Sequence, residues 1–350
     1  MDELFETIFF KALKADSTDI HFKLTDHLSI QFIVFGELQP YQEYEKTTGA
    51  KIMNYLKYKS FINVNYKMVP QTGAFHYYLN EHIYFLRVSY LPGMDFESIV
   101  IRILNNHENI TINEISEIDD FTFYLNEVCY QKSGLFLVAG ATGSGKSTTL
   151  YAILDKIIEM GGRNVVTLED PIEIVKEHCL QIEMNESMGI DYYNSLKQIL
   201  RHDPDVIMIG EIRDSETAKI AIRSSITGHL VLSTLHTNDT VASITRLKDM
   251  GIDLYLISAS LVGVISQRLV RKVCPKCSGI KYDCDYCSGK GYLGRTIVYE
   301  ILQVDDEIRE CIRNLDRHKE IREIAIERGK MITFEDSYIS ISQRALAENI

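Results

Sequence analysis

Short apolar runs separated by amphipathic segments dominate the larger, second part of the chain. Runs bounded by glycine or polar residues are typical of buried parallel strands. Such strands are predicted at 135–139, 164–168, 205–209 and 230–234. The segments between them, including 148–160, show helical periodicity. This alternation of strand and helix predicts an open α/β sheet.

The pattern over residues 1–105 is different and predicts a smaller α+β domain. Helical periodicity covers 4–13 and 47–60. Runs of β-branched and aromatic residues predict five strands, the third and fourth of which form a hairpin. These strands are expected at 19–23, 28–38, 74–78, 83–90 and 99–104.

A polar segment at 106–113 is the predicted linker, and 114–350 is the predicted second domain, with a mostly helical end at 305–349. No apolar run approaches the 18 residues or so that a transmembrane helix needs. The acidic, amphipathic N-terminus does not fit a signal peptide. We therefore expect a cytoplasmic protein that reaches a membrane through a partner.

The overall charge is acidic, with 37 Lys and Arg against 49 Asp and Glu and a net charge of −12. Proteins that bind the phosphate backbone of nucleic acids usually present a basic face. The charge balance therefore argues against direct nucleic-acid binding as the main activity.

A glycine-rich segment joins the strand predicted at 135–139 to the helix predicted at 148–160. Glycines permit a tight turn that aims N–H groups inward, and the helix N-terminus favours an anion. The lysine of such a segment reaches the β- and γ-phosphates, and the serine holds Mg²⁺. The pattern predicts an ATP site formed by Gly140, Ala141, Thr142, Gly143, Ser144, Gly145, Lys146, Ser147 and Thr148.

Acidic residues follow two of the other predicted strands. Glu169 and Asp170 come after 164–168, and Glu211 comes after 205–209. Ligands of open α/β sheets lie beyond the carboxyl ends of the strands, so these side chains are expected to face the nucleotide. Glu211 is the predicted second ligand of Mg²⁺, since Gly210 stands where such enzymes usually have an aspartate. Either Glu169 or Glu211 could position the attacking water.

Two histidines flank the strand predicted at 230–234. His229 precedes this strand and His236 follows it. A histidine beside a γ-phosphate can donate a hydrogen bond and sense the phosphate, although a single histidine is more often a structural hydrogen-bonding group.

Four of the seven cysteines form two C-x-x-C pairs with six residues between them: Cys274, Cys277, Cys284 and Cys287. In a reducing compartment this spacing favours metal ligands over disulfides. Four thiolates suit a structural tetrahedral Zn²⁺ and leave no open position for catalysis. A redox pair or free thiols are the alternatives.

Together and in this order, the motifs resemble the secretion ATPases of type II secretion, type IV pili and competence. The resemblance covers nearly the whole chain. The matching segments are GATGSGKSTTL (Walker A), TLEDPIE (Asp box), LRHDPDVIMIGEIRD (Walker B), TGHLVLSTLHTND (His box), DIHF and QRLVRKVCPKC. The cysteine insert, expected at 272–290, is typical of the assembly branch of that family. With the missing extra N-terminal domain, it makes the chain most similar to Gram-positive competence pilus ATPases.

The resemblance implies a RecA-like P-loop ATPase domain, a PAS-like N-terminal α+β domain and a zinc insert. It further implies a homo-hexamer with nucleotide sites between subunits and domains. Two arginines of the family's N-terminal domain reach the phosphates, and the matching positions are Arg87 and Arg102. The pattern alone would make these solvated strand-edge arginines. The implied partner is a polytopic inner-membrane platform protein that extrudes pilin subunits.

One segment departs from the family pattern. Relatives often carry charged residues in the N-terminal hairpin, where this chain has Gln31, Ile33 and Phe35. An inter-subunit salt bridge there is therefore not expected in this chain.

The sequence thus predicts a hexameric ATPase that powers assembly of a competence pilus for DNA uptake. One alternative is a nucleotide-gated scaffold that localises competence proteins without turnover. Another is a DNA-translocating ATPase of the conjugation type, which the acidic charge disfavours.

Overall fold

A computed structural model describes residues 1–34, 36–63, 68–79, 82–104, 110–116, 118–185, 189–280, 284–287, 289–314 and 318–343. The chain divides into two compact units, residues 1–108 and 109–350. Residues 106–109 of the predicted linker lie outside the described residues, as does Phe35.

The first unit is one antiparallel sheet covered by two helices. Its strand order is β3-β2-β1-β6-β5-β4. Alternate strand residues, such as Ile20, Phe22, Ile99 and Ile101, are fully buried, and the apolar face of α1 packs on the same core. The elements are α1 (Asp2–Lys14), β1 (Ser17–Leu24), β2 (His27–Val34), β3 (Glu37–Glu45), α2 (Lys46–Lys59), β4 (Gln71–Leu79), β5 (His82–Pro92) and β6 (Glu97–Ile103).

This unit confirms the predicted helices and the β4–β5 hairpin, but the strand predicted at 28–38 is wrong. The structure has two strands there, β2 and β3, joined through a turn in which Gly36 has φ +83°. β3 is the edge strand, and most of its residues are exposed. An exposed edge strand needs no apolar alternation, and β3 even contains Pro40, which edge strands tolerate. The PAS-like assignment of this unit stays a prediction.

The second unit is an eight-stranded sheet with the order β14-β13-β12-β7-β11-β10-β8-β9. The strands from β12 to β9 run parallel, whereas β13 pairs antiparallel with β12 and β14 pairs antiparallel with β13. Its strands are β7 (Gly134–Ala139), β8 (Val165–Glu169), β9 (Leu180–Glu183), β10 (Val206–Ile209), β11 (Leu230–Leu235), β12 (Leu261–Val273), β13 (Tyr292–Gln303) and β14 (Met331–Ile332).

Helices cover both faces of this sheet, so two apolar cores form. Leu135 and Leu137 of β7 face one core, and Phe136 and Val138 face the other. The helices are α3 (Ile112–Ile115), α4 (Asp119–Tyr130), α5 (Lys146–Met160), α6 (Tyr192–Ile199), α7 (Ser215–Ile226), α8 (Thr240–Asp249), α9 (Leu254–Ser260), α10 (Asp306–Arg313), α11 (His318–Glu327) and α12 (Phe334–Gln343). The four predicted strands and the predicted α/β class are confirmed. Among the helices described here, none is long and apolar enough to cross a bilayer.

The strand order determines where chemistry can occur. β7 lies between β11 and β12, and β10 and β8 follow β11 outward. These parallel strands therefore end at one edge of the sheet, which we call the carboxyl edge. The segments that follow β7, β8, β10 and β11 leave the sheet at this edge.

Candidate functional site

The loop between β7 and α5 is a phosphate-binding cradle. Gly140, Gly143 and Gly145 have φ of +143°, +78° and +88°, values that favour glycine. A Cβ on Gly140 would lie 2.6 Å from the backbone oxygen of Gln267, so a side chain would not fit there. The loop continues into a helix of 15 residues whose N-terminus points its free N–H groups at the cradle.

Lys146 is folded back over this loop. Its Nζ donates to the carbonyl oxygens of Gly140 and Ala141, both at 2.9 Å. Burial lowers the pKa of Lys146, and the negative charges of Glu211 and Glu173 oppose that shift. Both carboxylates therefore belong to the electrostatic environment of the lysine.

Glu173 is a site residue that the sequence analysis did not single out. The hydroxyl of Ser147 donates to Glu173 Oε1 at 3.3 Å. The third acidic residue of TLEDPIE thus contacts the serine that is expected to hold Mg²⁺. Glu173 belongs to the same motif, but the rule that ligands lie at strand ends selects Glu169, which is closer to the end of the strand.

Glu211 lies at the end of β10 between two basic side chains. Arg213 donates to its carboxylate, and Nε2 of His236 lies 3.4 Å from Glu211 Oε2. Burial raises the pKa of Glu211, but Arg213 and His236 outweigh this, and the pKa is below its ordinary value. Arg213 also reaches Asp170, with Nη1 at 3.4 Å from Oδ2. The structure therefore brings the Asp box, the Walker B segment and one His-box histidine together.

Glu169, in contrast, faces the interior of the unit. It is 4% exposed. Its carboxylate accepts hydrogen bonds from the hydroxyls of Tyr151 and Thr167 and, at 3.0 Å, from Nε2 of Gln181. These donors occupy the carboxylate of Glu169, which is one of the two groups predicted from the sequence to position the attacking water. A direct role of Glu169 stays a prediction, and this geometry does not support it.

His229 and His236 lie at opposite ends of β11. β11 pairs with β7 from Leu230 opposite Gly134 to Leu235 opposite Ala139, and the phosphate loop follows Ala139. His229 therefore lies about 20 Å from the carboxyl edge, the length of a six-residue strand. There its Nδ1 is 2.9 Å from the carbonyl oxygen of Ser224. The structure does not bring His229 to the loop of its own chain, so only His236 has the predicted surroundings.

Gln267 of β12 is a second residue that the sequence analysis missed as part of the site. It is 1% exposed. Its Nε2 donates to the carbonyl oxygen of Ser144 at 2.8 Å, and its Oε1 accepts from the hydroxyl of Thr149 at 2.9 Å. This amide ties the phosphate loop and the first turn of α5 to the neighbouring strand.

The family described as "Type II/IV secretion system protein" matches residues 1–348. The chain is also 37% identical to the putative type II secretion system protein E of Escherichia coli K12, over 93% of this chain and 70% of that protein. The chain belongs to the type II/IV secretion system protein family.

Other similar proteins include ATPases and a pilus motor. The type IV pilus assembly ATPase PilB of Thermus thermophilus is 38% identical, over 93% of this chain and 40% of that protein. The pilus retraction motor PilT with bound ADP is 27% identical, with a TM-score of 0.69 over 95% of both chains. The ATPase DotB of Yersinia pseudotuberculosis shares the fold, with a TM-score of 0.78 at 22% identity. The chain is an ATP-hydrolysing enzyme of the type II secretion and type IV pilus class, and its predicted RecA-like P-loop domain is confirmed.

In the first unit of this secretion ATPase, the two predicted phosphate-contacting arginines are neighbours. Arg87 of β5 is paired directly with Arg102 of β6. Arg102 pairs in turn with Asp19 of β1, where its Nε donates to Oδ1 at 2.8 Å. Both arginines are exposed on the face of the sheet opposite the core. Their contact with phosphates stays a prediction.

The four predicted metal ligands converge at the end of the β12–β13 ribbon. Their sulfur atoms lie within 4.8 Å of one another. Cys274 is 3.9 Å from Cys284, and Cys277 is 3.6 Å from Cys287. Four sulfurs at about 2.3 Å from a tetrahedral ion would be about 3.8 Å apart, so the donor set fits a thiophilic metal. Residues 281–283 and 288 of the predicted insert lie outside the described part.

The contrast between the two histidines gives a direct prediction. His236→Ala should lower kcat for ATP hydrolysis by about tenfold or more, because it removes a group that pairs with Glu211 at the carboxyl edge. His229→Ala should change kcat by less than about threefold, because His229 contacts the end of α7. Steady-state ATPase assays of both variants test this. Equal losses would show that position along β11 does not decide the role.

Proposed function

We propose that the chain binds ATP at residues 140–148 and uses its hydrolysis to power assembly of a competence type IV pilus for DNA uptake. The carrying observation is the convergence of Lys146, Ser147, Glu173 and Glu211 in a chain that belongs to the secretion ATPase family. The competence assignment is supported by the motif and cysteine pattern of the sequence.

The phosphate loop gives each group a part in hydrolysis. Its backbone N–H groups and Lys146 bind the β- and γ-phosphates, which draw Lys146 away from the Gly140 and Ala141 carbonyls. The oxygens of Ser147 and Glu211 suit Mg²⁺, a hard cation that takes oxygen ligands. When bound, Mg²⁺ neutralises charge on the phosphate oxygens.

Glu173 is the residue that we propose to position the attacking water. Its carboxylate contacts Ser147, whereas the carboxylate of Glu169 is already occupied by three internal donors. Glu211 is the second candidate, but it is paired with Arg213 and His236. His236, hydrogen-bonded to Glu211, is suited to respond to the γ-phosphate.

The functional assembly that we propose is a homo-hexamer. Arg87 and Arg102 would supply positive charge to the developing γ-phosphate, an effect that can accelerate hydrolysis by orders of magnitude. Movement of the first unit towards the nucleotide would convert hydrolysis into rigid-body motion. The proposed recipient is a polytopic platform protein of the inner membrane, which then acts on pilin subunits. The ATPase would work at the cytoplasmic face, without direct contact with nucleic acid.

The cysteine cluster is proposed to hold a structural Zn²⁺. Four thiolates complete a tetrahedral site, so no coordination position remains for a substrate. The N–H of Gly291 donates to the sulfur of Cys287 at 3.2 Å. Hydrogen bonds of this kind support and orient a metal-bound thiolate.

Two other functions remain to be tested against the motor. A nucleotide-gated scaffold would need binding but no turnover, and the intact Lys146, Ser147 and Glu211 favour turnover. A DNA-translocating ATPase would need a basic channel, which the net charge of −12 does not favour.

A replacement in the native host separates these functions. Glu211→Gln should abolish both sheared surface pilin and uptake of labelled DNA, while the protein remains folded and binds ATP. Glu216→Gln, the same change on the exposed part of α7, is the matched control. Loss of uptake with pilin still assembled would mean that the energy is used on DNA or retraction. Normal pilin and normal uptake would identify a scaffold.

A further inference from the structure

A hydrogen-bond network holds the segment that carries Glu173. Residues 170–179 form neither helix nor strand, so their backbone groups need other partners. The hydroxyl of Tyr151 accepts from the N–H of Ile174 at 3.2 Å. Nε2 of Gln181 donates to the carbonyl oxygen of the same residue at 2.9 Å. Ile174, which directly follows Glu173, is therefore fixed at both of its backbone polar groups.

The buried carboxylate of Glu169 connects the side chains of Tyr151 and Gln181. Tyr151 donates to one of its carboxylate oxygens, and Gln181 and Thr167 donate to the other. Gln181 is oriented further because its Oε1 accepts from the N–H of Lys176 at 2.6 Å. Burial, and then the charge of Glu169, raises the pKa of Tyr151, so the phenol keeps the proton that it donates.

The network spans three elements that meet at the carboxyl edge. Tyr151 comes from α5, Thr167 and Glu169 from β8, and Gln181 from β9. A buried carboxylate is costly unless donors satisfy it, and here three do. Removing the hydroxyl of Tyr151 or the amide of Gln181 would leave Glu169 with one donor fewer and release one of the two bonds to Ile174.

We propose that Glu169 is a positioning residue: through Tyr151 and Gln181 it fixes the Ile174 peptide and so aims Glu173 at Ser147. This inference rests on the proposed role of Glu173 in hydrolysis. It gives the first glutamate of TLEDPIE a different task from the second. Glu169 sets the geometry of the loop, and Glu173 contacts the reacting groups.

The first test is a double-mutant cycle in the full chain. Tyr151→Phe keeps the ring and removes the hydroxyl. It should lower kcat for ATP hydrolysis by about 10-fold to 100-fold and leave KM for ATP within about twofold, because a supporting residue is lost without loss of a phosphate ligand. In a Glu173→Gln background the same change should lower kcat by less than about twofold. Equal loss in both backgrounds, or no loss in either, would overturn the proposal.

The matched control is Tyr124→Phe. Tyr124 is another buried tyrosine of the second unit, and its hydroxyl has no hydrogen-bond partner among the described residues. Its removal should leave kcat unchanged. A loss like that of Tyr151→Phe would show that any buried phenol matters for folding, and the positioning role would fail.

A structural readout separates this proposal from the proposed function. Amide hydrogen exchange over 172–178 should be slow in the wild type and faster in Tyr151→Phe and in Gln181→Leu, a second variant at a half-buried site. Unchanged exchange in both variants would overturn the positioning role of Glu169, whatever the activity of Glu173→Gln. Faster exchange combined with full activity of Glu173→Gln would instead refute the role of Glu173 in hydrolysis. The hydrogen-bond network that holds residues 172–178 would still be established.

Discussion

A Glu173→Gln variant is expected to lose at least about 100-fold in kcat for ATP hydrolysis, while its KM for ATP stays within about threefold. Glutamine keeps the size of the side chain and can still accept from Ser147, but it cannot take a proton or orient water as a base. The nucleotide is held mainly by the loop N–H groups and Lys146, which the substitution does not touch.

The control for this variant is Glu177→Gln, an identical change at an exposed glutamate in the same segment. It should leave kcat and KM unchanged. Binding of a fluorescent ATP analogue and a thermal unfolding curve should match the wild type for both variants. If Glu173→Gln kept more than about a third of wild-type kcat, the water would have to be positioned elsewhere, with Glu211 the next candidate.

The choice between Glu169 and Glu173 shows where sequence reasoning reaches its limit. The rule that ligands lie beyond strand ends selects the segment that follows β8, and Glu173 lies in this segment. It did not reveal that Glu169 is still the last residue of β8, on the same side of the strand as Thr167. Because side chains alternate along a strand, one residue of register decides whether a carboxylate faces the core or the site. Periodicity places a strand end only within a few residues.

For the two histidines the motif alone is also insufficient, but the direction of the strand between them distinguishes their positions. Both belong to one motif, which predicts the same sensing role for both. Parallel pairing of β11 with β7 puts the residue before the strand and the residue after it at opposite edges. The strand predicted at 230–234 is confirmed as β11, and the direction of this strand is sufficient to separate His229 from His236.

Gln267 could not be found from the sequence because its role depends on strand order. β12 is adjacent to β7, although residues 140–260 lie between the end of β7 and the start of β12. Local patterns carry no information about such a pairing. The buried amide of Gln267 becomes meaningful only when the phosphate loop is placed beside it.

The cysteine cluster, in contrast, could be predicted well, because ligand spacing is itself a local pattern. β12 ends at Val273 and β13 begins at Tyr292, so an antiparallel ribbon brings both pairs to its tip. The ribbon also contains Gln267, which links it to the phosphate loop. Its tip and its base can therefore be tested as separate parts of one element.

Loss of the metal is expected to unfold the tip of the ribbon without abolishing nucleotide binding. Wild-type protein should carry one Zn²⁺ per chain by elemental analysis, and Cys277→Ser should carry almost none. Metal binding to such sites supplies about 10 kcal/mol or more of folding free energy, so 274–291 should become accessible to trypsin at Lys276 and Lys290. Affinity for ATP should stay within about threefold, since the bonds of Gln267 lie at the base of the ribbon.

Cys311→Ser is the matched control, because Cys311 is a thiol of the same unit outside the cluster. It should keep its zinc and its resistance to trypsin. Mild acid should release zinc from the wild type, since the thiolates must take up protons when the metal leaves. Wild-type protein without zinc, with four thiols that react freely or form a disulfide, would identify a redox site instead. A Cys277→Ser variant that loses zinc and also loses ATP binding would show that the tip supports the phosphate loop through the ribbon.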